Sequence, residues 1–289
     1  MRRIGLLAIG CAAVVLAGCG SSAGGSGTAH GSVDVLYAGS LVSLMRNQIG
    51  PEFTSATGYS VSGISAGSTA LATQIKGKVH AGDVFISANP DVNASLEGSA
   101  NGNWVSWYAT FASSGLVLGY NPKSKFAADL RSKPWYQVIT EPGFRLGTTD
   151  PATDPKGKLA AQALTDTAAS QSLPALARIT QDQSTIFPEE TLVGRLQAGQ
   201  LDAGFFYRSE AVAAKIQTVP LAGVDLKATY TVTVLNHAPH EKAAEAFVAY
   251  LLGPKGQAVL EKDGFDLVKP ATATGSGVPS ALSTILSGS

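Results

Sequence analysis

Apolar and polar positions along this chain fall into blocks whose period switches between two and 3.6. The run VDVLYA, Val33–Ala38, reads as a short strand, and Leu41–Thr57 carries helical spacing. Tyr59–Ser65 reads as strand and Thr69–Lys78 as helix. Ala81–Ala88 reads as a buried strand, closed by Asn89-Pro90-Asp91, which can open the next helix. Strand and helix signals in alternation predict a parallel, doubly wound sheet. Ligands of such sheets sit beyond the carboxyl ends of the strands, and Ser40, Ser68 and Ser87 all fall at or just past predicted strand ends. The turn Ala38-Gly39-Ser40 has two readings. Ser40 caps the following helix, or the turn leaves its hydroxyl and backbone N–H groups open to a ligand.

After Phe111 the texture changes. Ser114–Pro122 reads as a strand ended by Asn-Pro. Arg145–Leu164 reads as strand, polar loop and helix, and Pro188–Ala211 as helix, strand and Arg208-Ser209-Glu210. Ala228–Ala238 alternates as a longer strand does. His240–Phe265 reads as two helices broken at Gly253-Pro254. No repeat or long linker interrupts the run, which argues for two lobes of one unit. Trp104, Trp107, Trp135 and Tyr136 read as packing within or between those lobes.

The first residues change the picture of where the protein works. Arg2 and Arg3 precede an apolar run, Ile4–Ala17, that is too short to span a bilayer and has the layout of an export leader. It ends in Leu16-Ala17-Gly18-Cys19, which resembles a bacterial lipoprotein box. That resemblance implies cleavage of a 1–18 signal peptide and lipidation of Cys19. Residues 20–32 form a Gly/Ser-rich tether with an r.m.s. span of about 20 Å. The expected location is therefore extracytoplasmic, at the cell membrane, held through the lipid alone. Both cysteines, Cys11 and Cys19, lie in this leader region, so the remaining domain has neither disulfide nor thiol nucleophile. About 270 residues at 45% hydrophobic content suffice for a large core.

Charge narrows the partners. Lys+Arg and Asp+Glu both number 21, and no basic stripe is present, which excludes a nucleic-acid partner. An anionic ligand would have to be held by local dipoles rather than by bulk charge. Two enzyme-like signals need weighing. Gly63-Ile64-Ser65-Ala66-Gly67 fits the nucleophile-elbow pattern of serine hydrolases, with His237 and His240 downstream. Only one strand–helix unit of the domain precedes it, however, and no His-Gly-Gly oxyanion segment appears. His30, His80, His237 and His240 have loop and helix-start positions rather than metal-ligand spacing, so no metal site and no cofactor are expected. A structural lipoprotein without ligand is the remaining class.

Several stretches, in order, carry a resemblance: AGSL after the first strand, Ser65–Val92, Thr148–Lys158, Leu201–Ala211 and Asn236–Phe265. Together they resemble the molybdate/tungstate-binding extracellular components of ABC transporters, across nearly all of Val33–Lys269. The resemblance implies a two-lobed α/β fold of the type II periplasmic-binding class. Each lobe is a doubly wound sheet flanked by helices, and two crossing strands, near Ser113–Tyr120 and Tyr230–Asn236, form the hinge. Residues 33–112 and 230–289 would make lobe 1 and residues 113–229 lobe 2. It further implies a monomer that holds a tetrahedral oxyanion between the lobes by hydrogen bonds and hands it to a membrane permease.

The implied site falls on Ser40 and Ser68, with Gly39 and Thr69 beside them. It adds the backbone N–H groups of Lys156 and Glu189 at helix starts, and the hydroxyl of Tyr207. Asp154 matches the first of two carboxylates that bind the metal directly in one branch of the family. The second matches Phe206, whose ring cannot coordinate a metal, and this favours hydrogen-bonded rather than six-fold binding. Molybdate and tungstate are of nearly equal size and charge, and the residues do not rank them. Sulfate, phosphate or a small organic anion are the alternatives.

Overall fold

The computed structural model describes residues 31–287. The export leader 1–18, the lipid site Cys19 and nearly all of the tether expected over 19–32 lie outside the described residues. The described residues form ten strands: β1 Ser32–Ala38, β2 Ser60–Ala66, β3 Val84–Ser87, β4 Trp107–Tyr120, β5 Leu146–Gly147, β6 Ala203–Tyr207, β7 Gln217–Pro220, β8 Lys227–Val234, β9 Asp266–Gly275 and β10 Leu286–Ser287. Their order is β10-β9-β4-β8-β3-β1-β2, with β6 and β7 also on β4 and β5 on β6.

β1 lies between β2 and β3, parallel to both. Helices cover both of its faces, so its sequence is a nearly unbroken apolar run rather than an alternating one. Val33, Val35 and Tyr37 face the main core, while Leu36 faces a second cluster with Leu71, Ile75 and Phe85. A 3₁₀ turn, Gly39–Leu41, follows β1 directly. The helical run then continues through α, π and α segments to Thr57, where Gly58 terminates it in the left-handed conformation.

The sheet is not wholly parallel. β1, β2 and β3 are parallel, as are β5 with β6 and β9 with β10. β8, however, pairs antiparallel with both β3 and β4, and β4 pairs antiparallel with β6, β7 and β9. The reason is β4. It starts seven residues before the strand expected at Ser114, and its length serves two halves of the molecule. Trp107–Ser113 pairs with β9, and Ala109–Gly115 with β8, while Leu116–Tyr120 pairs with β6 and β7. The register shifts between Thr110 and Ala112. β4 and β8 pair over Ala109–Gly115 and Lys227–Val232, so the segments expected to cross between lobes, Ser113–Tyr120 and Tyr230–Asn236, do not face one another in the register. The chain thus returns from the second half into the first sheet against its direction. Among the described residues, no helix is long and apolar enough to cross a membrane.

Candidate functional site

The ends of β1, β2 and β6 and the starts of three helices converge between the halves. Lys156 is the second residue of the helix Pro155–Ser170, whose start is set by Pro155 and by Asp154, the N-cap. Asp154 Oδ1 accepts the Lys156 N–H at 2.8 Å. The Lys156 N–H expected to face a ligand is therefore engaged in capping, and it is the Lys156 side chain that points into the centre. It has no solvent exposure. Its Nζ donates to both oxygens of Glu210, at 3.0 and 2.9 Å. It lies 3.3 Å from Glu189 Oε1, an ionic contact without hydrogen-bond alignment.

Glu189 opens the helix Glu189–Gln197 behind Pro188. Its carboxylate is buried against the Cα of Gly39: a Cβ at Gly39 would stand 2.6 Å from Glu189 Oε2. Gly67 has the same function beside it, because a Cβ there would meet the Thr153 carbonyl at 2.5 Å and the Asp154 Cβ at 2.9 Å. Glycine at these positions lets the halves touch backbone to side chain. The Ala70 N–H donates to the Thr153 carbonyl across the same line, and Arg208 reaches from the second half to the Gly264 carbonyl and to Asp266.

A set of buried hydroxyls lies close by. Ser40 Oγ and Tyr230 Oη lie 3.1 Å apart. Tyr230 packs edge-on against Tyr207, with ring centroids 6.0 Å apart. The Tyr207 hydroxyl is fully buried and makes no hydrogen bond within the protein. The Lys156 ammonium lies 5.9 Å from the Tyr207 ring centroid. Ser68, also buried, accepts the Ala88 N–H at 3.1 Å and so keeps its own proton free to donate. Thr69 and Asp154 line a small neighbouring cavity with Lys158. A mouth of about 340 Å³ opens beside Asp154 and Glu189, lined also by Ala66, Gly67, Thr153 and Pro188 among others.

The electrostatics are uneven. Asp154, Glu189 and Glu210 face one ammonium. Burial alone would lower the Lys156 pKa, but Glu210, Glu189 and Asp154 outweigh it and raise it, so the ammonium stays charged. Burial pushes the Glu189 carboxyl well above the ordinary range, and the charge of Asp154 adds to this. Burial also raises Asp154 and Glu210, with Lys156 opposing in both. Desolvation raises both tyrosines far above their usual value, which keeps them neutral donors.

The structure thus brings Gly39, Ser40, Asp154, Lys156, Glu189 and Tyr207 together, with Ser68 and Thr69 on the adjoining helix start. Sequence reasoning overlooked Glu210 and Tyr230. Glu210 had a readable signal, since an acid three residues after a strand end can reach back to the chain, as Glu210 does to the Tyr207 N–H at 3.4 Å. Phe206 points away from the tyrosines into an apolar cluster with Leu192, Leu196, Leu201 and Ala211. The Lys156 ammonium stands 5.5 Å from its ring centroid.

The other sequence signals resolve differently. Ser65 lies inside β2 rather than on a strand-to-helix turn, so the Gly63–Gly67 pattern, already weighed against, does not form a nucleophile elbow. His240 is the N-cap of the helix Glu241–Leu252. Asp83 ties it down, accepting from the His240 N–H and ring Nδ1 and from the Asp34 N–H.

Comparison with known proteins places these observations. Residues 33–266 match the family described as bacterial extracellular solute-binding protein. A Haloferax volcanii protein, named provisionally as an ABC transporter molybdenum-binding protein, is 32% identical over 73% of this chain and 66% of its own length. The molybdate/tungstate-binding protein of Thermococcus kodakarensis is 25% identical over 60% of this chain and 64% of its own. The periplasmic molybdate-binding protein of Azotobacter vinelandii superposes with a TM-score of 0.64 at 23% identity, covering 82% of this chain and all of that one.

Proposed function

The chain belongs to the bacterial extracellular solute-binding protein family, and from that premise we propose that it captures a tetrahedral oxyanion, molybdate or tungstate, in the cleft described above and delivers it to an ABC permease. The lobes are taken as residues 33–112 with 230–289, and 113–229. The protein acts as a monomer tethered by lipid on Cys19. The observation that carries the reading is the Tyr207 hydroxyl, a buried donor without a partner, on a ring packed against Tyr230, whose own hydroxyl meets Ser40. A buried polar group left unpaired costs about 1–3 kcal/mol, and a ligand oxygen would recover it.

Ser40, Ser68 and Tyr207 supply neutral donors from both halves, so a ligand that bonds to all three favours their apposition. The relatives named for molybdate or tungstate support the choice of ligand. The excess of carboxylates favours a second reading, in which the ligand is phosphate, which carries its own proton at neutral pH.

A thermal-shift titration of the protein, dialysed free of oxyanions, against molybdate, tungstate, sulfate and phosphate tests this. Ligand at a hundredfold excess over Kd adds about 2.7 kcal/mol, which is roughly 5–10 °C in a domain of this size. A saturable rise with molybdate or tungstate is expected. A rise with phosphate alone transfers the site to the second reading, and no rise with any of them refutes oxyanion binding.

A further inference from the structure

A fully deprotonated oxyanion offers only acceptors. It can satisfy Ser40, Ser68 and Tyr207, but it can only repel Asp154, Glu189 and Glu210. One ammonium, on Lys156, stands against those three acids, and Glu210 already takes two of its hydrogen bonds. Glu189 keeps only a 3.3 Å ionic contact with that ammonium. Its side chain lies against Gly39, next to Ser40, and lines the mouth together with Asp154. Neither of its oxygens makes an aligned hydrogen bond, and Asp154 Oδ2 makes none either.

We propose that Glu189 holds a proton in the liganded protein and donates it as a hydrogen bond to the bound oxyanion, so that each oxyanion is taken up with the equivalent of one proton from solvent whenever Glu189 begins ionised. This rests on oxyanion binding as argued above. No covalent bond to the ligand forms; the proton comes from water and stays on the Glu189 carboxyl. Glu189 would then set specificity by protonation. Its acid form adds a donor beside Gly39, and its ionised form closes the seat to dianions.

The groups that face Glu189 are Asp154 and Lys156 from the helix Pro155–Ser170, Glu210 from the helix after β6, Tyr207 at the end of β6 and Tyr230 on β8. Asp150 lines the same mouth, as does Glu190 on Glu189's own helix. Lys156 alone among them is cationic, and burial with the neighbouring Asp154 charge holds the Glu189 proton far above the ordinary carboxyl range.

The test is isothermal titration of molybdate into the wild-type protein from pH 5 to 9, in paired buffers of different ionisation enthalpy, beside Glu189→Gln. The proposal expects a flat Kd at low pH that then weakens by up to tenfold per pH unit, the limit for one linked proton. Proton uptake approaching one per oxyanion should appear in the same range. The side-chain amide of Glu189→Gln supplies an N–H donor at every pH, so the variant should bind more tightly than wild type at the alkaline end, with no proton uptake. If wild type binds with a flat Kd and takes up no proton across this range, the proposal is wrong. Loss of binding in a folded Glu189→Gln protein at all pH values also overturns it. Failure of wild type to bind any oxyanion removes the premise instead, a result separable from the first two. If the variant does not fold, the wild-type proton count decides alone.

Discussion

Among the described residues Lys156 is the one buried lysine or arginine, it faces three buried acids, and its removal has a calculable cost. In Lys156→Met the volume is roughly kept while the charge is lost. At an effective dielectric constant of about 20, opposite charges about 3 Å apart attract by roughly 5 kcal/mol, the separation found between Lys156 Nζ and Glu210. Most of that offsets the desolvation of both ions. Breaking a buried pair by removing one partner costs about 3–5 kcal/mol net, because the other charge is stranded. Lys156 has no solvent exposure, so surface screening does not reduce the figure. The expected fall in Tm at pH 7.5 is roughly 6–20 °C.

The sign with pH follows from the acids. Burial already raises Glu189, Asp154 and Glu210 above their unfolded values, and without the ammonium they rise further. A raised acid costs the folded state stability once pH exceeds its unfolded pKa, and the cost grows until the folded pKa is passed. The Lys156→Met deficit should therefore be largest at neutral to alkaline pH and shrink toward pH 4. Adding Glu210→Gln should return part of it. Scanning calorimetry across pH 4–8 reads all three effects. A deficit below about 1 kcal/mol that does not change with pH would refute the claim that these charges are paired inside the fold.

Two further outcomes concern the buried hydroxyls. Tyr207→Phe removes a hydroxyl with no partner in the protein, so Tm should hold or rise slightly, while oxyanion affinity read by calorimetry falls by roughly 1.5–3 kcal/mol, the worth of a hydrogen bond to a charged group. Ser40→Ala and Ser68→Ala should each weaken binding by roughly 1–3 kcal/mol. Ser68→Ala should also lower stability by about 1 kcal/mol, since it strands the buried Ala88 N–H; equal Kd values in wild type and both variants would remove the serines from the site.

Periodicity disclosed the elements that are short and locally determined. β1, β2, the helix behind Asp154-Pro155 and the break at Gly253-Pro254 all follow from apolar spacing, caps and proline stops. β4 did not disclose its length. Its first seven residues alternate only weakly, and they become strand because β8 and β9, distant in sequence, pair with them. The mixed direction of the sheet has the same origin. Within the site, strand ends pointed to Ser40 and Ser68, and the family resemblance pointed to Glu189 and Tyr207. What each group does there was not readable. The Lys156 N–H turned out to be used by Asp154, and its ammonium became the centre of a charge cluster assembled from three separate segments.

The sharing of β4 between the halves bears on how the molecule comes apart. Had each half owned a complete sheet, either could have melted while the other survived. Here the loss of β6 and β7 strips one end of β4, and the loss of β8 and β9 strips the other, so each half is a structural cofactor of its neighbour. Neither half owns a complete sheet, so the two are expected to melt together rather than one by one. A solute that bridged them would then protect the whole chain in a single cooperative transition.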